Sequence, residues 1–179
     1  ISANINLMFD LDGEIKKNYQ INGAVKKAKF NIFNQVEIDN LNLSFNINNN
    51  QLTLSKIETN LNSIKLKSPL IKIEEKKNIF FINGKVINDQ QNFDINKLKP
   101  ILGDLLNNIE IEKIDFNSVN TFSFNVNKKL KLNDLKLETN INLENFEIVK
   151  NPLNLKSFLP NYTEQVKFED HKIKIKLTK

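Results

Sequence analysis

Cysteine is absent from these 179 residues, which excludes a disulfide framework, a thiolate nucleophile and any zinc site built on thiolates. Arginine is absent as well: all 26 basic residues are lysine, so the chain lacks the bidentate fork that reads phosphate and guanine, and nucleic acid is not an expected partner. With 4 glycines, 4 prolines and alanine only at Ala3, Ala24 and Ala28, there is no glycine-rich phosphate cradle and little of the small-residue packing of α/β domains. No run of about 18 apolar residues could span a bilayer as a helix, and the chain opens at Ile1 without a signal peptide. It therefore reads as a segment of a longer protein, with any membrane anchor outside it.

What is abundant is isoleucine, leucine, phenylalanine, asparagine and lysine, in alternation. Ala3, Ile5, Leu7, Phe9 and Leu11 share one parity, with Asn4, Asn6, Asp10 and Asp12 on the other, which predicts a half-buried strand ending at an Asp12-Gly13 turn. Tyr19 to Val25 and then Ala28, Phe30 and Ile32 read as two further strands. Leu41, Leu43, Phe45 and Ile47 run to Asn48-Asn49-Asn50, and Leu52 with Leu54 begin the return strand of a hairpin. Ile64 to Lys67, Leu70 to Glu74 and Ile79 to Ile87 follow. Ile79-Phe80-Phe81-Ile82 is apolar on both parities and predicts the most buried strand.

The period then changes. Asp94 caps an amphipathic helix over residues 94–108, with Ile95, Leu98, Leu102, Leu105 and Leu106 at helical spacing and Pro100 kinking it or delaying its start. Strand patterns resume from Ile109 to Ile148, with a Lys128-Lys129 turn. Asn151-Pro152 opens a short helix near 152–159. A closing hairpin is expected, Val166 and Phe168 facing Ile173, Ile175 and Leu177 across Glu169-Asp170-His171. The fold class is thus mainly β, an elongated, curved antiparallel sheet of repeated strands with one amphipathic and one short helix: a first β unit over 1–93 and a second over 109–179. Ser44-Phe45-Asn46-Ile47-Asn48 reappears about 80 residues on as Ser123-Phe124-Asn125-Val126-Asn127, which suggests an internal duplication. Ile-Asn-Gly-x-Val also occurs twice, at Ile21 and Ile82.

Reactive constellations are lacking. Phe9-Asp10-Leu11-Asp12-Gly13 looks like the nucleophile motif of haloacid dehalogenase phosphotransferases, but its strand alternates, Glu14 stands where threonine is usual, and downstream carboxylates such as Glu74-Glu75 read as polar strand faces, not as a convincing magnesium pair. The pair is read as solvent-facing. His171, the lone histidine, falls in the expected turn, and no Gly-x-Ser-x-Gly elbow or metal-ligand spacing occurs. No catalytic residue, cofactor or metal site is expected, and the chain is read as a non-enzyme.

The remaining candidate is the apolar face itself. More than ten candidate strands with so few helices favour a curved sheet that covers itself or holds lipid. The order of Ile21-Asn22-Gly23-Ala24-Val25, Ile38 to Ile47, Leu52-Thr53-Leu54, Ile64 to Ser68, Ile71-Lys72-Ile73 and Phe80-Phe81-Ile82-Asn83-Gly84-Lys85-Val86, then a Leu/Pro-containing helix, resembles the AsmA-like proteins, including the TamB and YhdP branches. That resemblance implies a periplasmic protein of a Gram-negative bacterium, anchored in the inner membrane, whose taco-shaped β-groove moves phospholipid toward the outer membrane. Phospholipid or another acyl lipid is then the expected partner. Candidate lining residues are Phe45, Ile47, Leu52, Leu54, Phe80, Ile82, Phe122, Phe124, Val126, Leu130 and Leu132. The alternative is a structural or adhesive β-domain, a sandwich or solenoid with a closed core.

Overall fold

The computed structural model describes residues 1–7, 9–13, 19–32, 36–62, 64–89, 93, 96, 110–150, 158, 161 and 166–179. They form one sheet of nine strands, β1 (Ser2–Asn6), β2 (Gln20–Ile32), β3 (Val36–Asn48), β4 (Gln51–Leu61), β5 (Ile64–Lys76), β6 (Ile79–Asn88), β7 (Glu110–Asn127), β8 (Leu132–Lys150) and β9 (Val166–Thr178). Each strand pairs antiparallel with the next in sequence, so the sheet is an open meander with β1 and β9 as its edges. Two tight turns show why the chain reverses where it does. Asn49 takes φ 50°, and Lys77 and Asn78 take 51° and 64°, the left-handed values that a two-residue hairpin connection needs.

Most of the long strands are not uniform alternations. At five places inside the strands a left-handed residue stands between two residues of the apolar face that are three positions apart instead of two: Lys27 between Val25 and Ala28, Asn40 between Ile38 and Leu41, Lys56 between Leu54 and Ile57, Asp134 between Leu132 and Leu135, Asp170 between Phe168 and His171. A left-handed residue adds one position without turning the strand back, and the side chains beyond it swap faces. The swap in backbone phase cancels the shift in sequence phase, so the same face stays apolar along the whole strand. Register breaks fall beside Lys27, Asn40 and Asp134, and another lies between Lys67 and Ile71, around Pro69. These irregularities bend and twist the strands, which gives an open sheet its curvature.

This device accounts for most differences from the alternation pattern. Ile21–Val25 and Ala28–Ile32 are one strand, as are Ile64–Lys67 and Leu70–Glu74, and residues 110–127. The expected hairpin across Glu169-Asp170-His171 does not form: Val166–Thr178 runs straight through, paired along its length with the 19-residue β8, and Asp170 (φ 54°) absorbs the phase change. The first strand stops at Asn6, while Gly13 (φ 83°) does close a turn. β6 is not the most buried strand, because Phe81 points to the polar side and is 39% exposed. The expected helices over 94–108 and 152–159 lie outside the described residues, except that Asn96 is helical and Phe158 stands exposed in a turn. Across that gap the sheet is continuous, since β6 and β7 pair from Ile79↔Asn127 to Asn88↔Ser118.

The polar side is a mat of asparagine, threonine and charged groups: Asn46 donates to Asn22, Asn60 to Asp39 at 2.6 Å, Asn125 to Asp134 at 2.6 Å and Asn145 to Asp115 at 3.3 Å. Among the described residues no second layer covers the other side. None of these residues is fully buried, and the buried hydrophobics are Ile57, Ile64, Phe93, Ile111 and Leu143. Their nearest approach to a core is Phe93 stacked on Phe116 (centroids 4.4 Å apart), with Ile64, Leu66 and Ile114 beside it.

Candidate functional site

Residues opposite one another on paired strands share a face, so the register traces the apolar surface directly. One row runs Ala3, Gly23, Phe45, Leu54, Ile71, Gly84, Phe122, Leu137 and Leu177, crossing all nine strands. The row beside it runs Ile5, Ile21, Ile47, Leu52, Ile73, Ile82 and Phe124, and a third joins Phe80, Val126 and Leu132. Nine strands spaced about 4.8 Å apart make the first row about 38 Å long. Most of these side chains are half-buried, held by their flanks and open on top; Ile5 is 61% exposed, and Leu132 and Leu177 are exposed too.

Ten of the eleven candidate lining residues therefore lie on one continuous face: Phe45, Ile47, Leu52, Leu54, Phe80, Ile82, Phe122, Phe124, Val126 and Leu132. Leu130 does not. It sits in the β7–β8 turn with φ 59° and is 84% exposed, because the turn needs one left-handed residue and Leu130 supplies it. The paired glycines explain the recurrent Ile-Asn-Gly-x-Val. Gly23 lies opposite Phe45 and Gly84 opposite Phe122 in the same row, and a Cβ at either position would strike the ring. Each ring takes up the space that a side chain at the facing position would fill.

Toward the other end of the strands the face changes character. Asn88 and Ser118, an opposed pair, are buried, with Asn88 donating to the Phe116 carbonyl (3.4 Å) and Asn120 to Ser118 Oγ (3.1 Å). Past this polar band lies a cleft of about 420 Å³ lined by Ile114, Phe116, Ile141, Leu143, Phe146, Phe168, His171 and Ile173. Phe146 and Phe168 stack at 5.8 Å, and His171 meets Phe168 edge-on at 5.7 Å. His171 Nδ1 lies 2.6 Å from the Glu169 carbonyl, which can only accept, so Nδ1 carries the proton. Sequence reasoning placed His171 in a turn and left the whole cleft out. Its signal was the parity of Phe116, Ile141 and Leu143, which continues past Phe122 and Leu137.

The other titratable groups serve the polar side. Asp10 accepts from the Asp12 amide through Oδ1 (3.1 Å), and its carbonyl accepts from Gly13 (3.2 Å), so the motif that resembled a phosphatase nucleophile closes a turn. A hydrogen bond from Lys174 holds the Glu138 carboxyl below its ordinary range, one from Lys167 does the same for Glu169, and Asp89 raises Lys67. Among the described residues no group of three His, Asp or Glu side chains could hold a metal ion, and no helix is long and apolar enough to cross a membrane. No family model, no curated protein and no solved structure matches this chain.

Proposed function

We propose that this chain is the lipid-carrying part of a larger protein, with acyl chains lying on the apolar face of the sheet. The observation that carries this reading is the row from Ala3 to Leu177: it spans all nine strands, and its side chains are open to solvent on one side among the described residues. A bilayer's hydrocarbon core is about 30 Å thick across both its acyl layers, so a row of about 38 Å is long enough for an acyl chain to lie along it at more than one position. Leaving water is worth about 25 cal/mol per Å² of apolar surface wherever along the row the chain sits. A nearly uniform row thus binds acyl chains without fixing their position, the energetic condition for sliding. Headgroups stay wet at the margin of the sheet, near its lysines. The reading is of an AsmA-like periplasmic protein, anchored in the inner membrane through a segment outside this one and moving phospholipid in outer-membrane biogenesis, with no catalysis and no cofactor.

The test is mass spectrometry of lipid retained by the chain after mild extraction. The expected result is phospholipid or another acyl lipid on the wild type and its loss in a variant carrying both Phe45→Glu and Phe122→Glu, which places two charges in the row. A wild type that carries no lipid, and takes none up from vesicles, rules the reading out.

A further inference from the structure

β9 is the long open edge of the sheet; the opposite edge, β1, is only 5 residues long. Among the described residues no strand pairs with its outer side. The Lys179 amide donates to the Leu135 carbonyl at 2.9 Å, and hydrogen-bonded pairs alternate along an antiparallel ladder. Residues 171, 173, 175 and 177 therefore turn their N–H and C=O toward β8, while Lys172, Lys174, Lys176 and Thr178 turn theirs outward. The side chains of Lys172, Lys174 and Lys176 lie on the polar side, opposite Asn142, Asn140 and Glu138. Those of Ile173, Ile175 and Leu177 lie on the apolar side, each between 42% and 48% exposed.

We propose that this edge docks an extended polypeptide strand in which apolar residues alternate with acidic ones. The backbone groups of Lys172, Lys174, Lys176 and Thr178 supply the ladder. Ile173, Ile175 and Leu177 extend the apolar rows onto the incoming strand. The lysines select the charge. On the inner side, Glu138 alone already engages two of them, Lys174 at 2.7 Å and Lys176 at 3.7 Å, and an incoming strand offers carboxylates at the same level from the outer side. A second copy of β9 is a poor occupant. In an antiparallel pair, outward-facing residues oppose outward-facing residues, so any register that overlaps most of residues 171–178 sets the lysines of one copy against those of the other. Like charges directly opposite one another disfavour pairing.

The experiment is amide hydrogen exchange by NMR, with two blocked nine-residue peptides, one alternating valine and glutamate, the other valine and lysine. The glutamate peptide is expected to slow exchange at Lys172, Lys174, Lys176 and Thr178 at least tenfold, and to leave Ile173, Ile175 and Leu177, already bonded to β8, unchanged. It should bind about tenfold more tightly than the lysine peptide at low salt, through three favourable cross-strand pairs, and the difference should shrink as salt rises. The triple variant K172E/K174E/K176E is expected to reverse the preference, its fold checked by unchanged exchange in β2 to β6. If the triple variant does not fold, Lys172→Glu alone should weaken the glutamate peptide. No protection by either peptide, equal protection by both, or concentration-dependent protection without peptide, which would mean a second copy on the edge, each overturns the proposal.

Discussion

At the scale of single residues, Gly84 shows how little room the apolar face leaves at its base. A Cβ there would lie 2.9 Å from both Ile71 Cγ1 and Phe122 Cζ and 3.2 Å from the Leu70 carbonyl. Gly84→Ala narrows the unfolded ensemble, which alone would stabilise by about 0.4–1 kcal/mol, but the overlap with two packed side chains should outweigh it and give a net loss of about 1–3 kcal/mol. In a Phe122→Leu background the same substitution should cost clearly less, and denaturant titration of the four-member cycle checks the coupling. Glu138 makes a separate prediction about acid. Its carboxyl is lowered first by the hydrogen bond from Lys174, then by the charges of Lys174 and Lys176 against an opposing desolvation. A lowered folded value means that its contribution is present above the unfolded value of about 4.3 and is lost as pH falls through the folded one. Glu138→Gln should therefore flatten the stability profile below about pH 4.3 and leave the neutral-to-alkaline side parallel to the wild type. The pair is exposed, so the change is small and should vanish in high salt.

At the scale of elements, the left-handed residues decide which face each half-strand presents. Lys56 (φ 52°) is the sharpest case, because Ile57, just beyond it, is among the few buried hydrophobics. Lys56→Gly keeps the extra position and removes the steric penalty of a left-handed lysine, so it should hold or raise the melting temperature. Deleting Lys56 removes the position, sends Ile57 and Leu61 to the polar side, and should abolish the cooperative transition, as followed by circular dichroism. The same residues show what was legible in the sequence. Alternation marked apolar stretches within all nine strands, and the Asn49-Asn50 and Lys77-Asn78 turns stand where it breaks, but it divided β2, β5 and β9 and carried the first strand five residues past Asn6. What alternation does not distinguish is a phase shift inside a strand from the end of one, since Val25-Lys26-Lys27-Ala28 offers the same pattern to either reading. Asp170 was misread as part of a turn for this reason, and with it the cleft around Phe168 and His171, which exists only if β9 continues. Leu130 was misplaced by the opposite error, its chemistry being that of the face and its backbone that of a turn.

At the scale of the whole molecule, the question is whether the apolar face is open in solution, and heat capacity answers it without reference to any ligand. Unfolding a compact chain of this length releases enough apolar surface for a heat-capacity change of about 2.1–2.7 kcal/mol/K. Here the side chains along the Ala3 to Leu177 row already stand half in water in the folded state, so the lipid-free monomer should fall clearly below that range in calorimetry and show a correspondingly shallow denaturant slope. The same surface should bind a hydrophobic dye under native conditions, with intact secondary structure and a cooperative melt separating it from a partly unfolded state. Acyl lipid should displace the dye and raise the melting temperature with concentration, by about 2.7 kcal/mol of added stability at a hundredfold excess over its dissociation constant. A heat-capacity change within the compact range, with no dye binding, would mean that the face is sealed by protein. It would move the function from the face to whatever seals it.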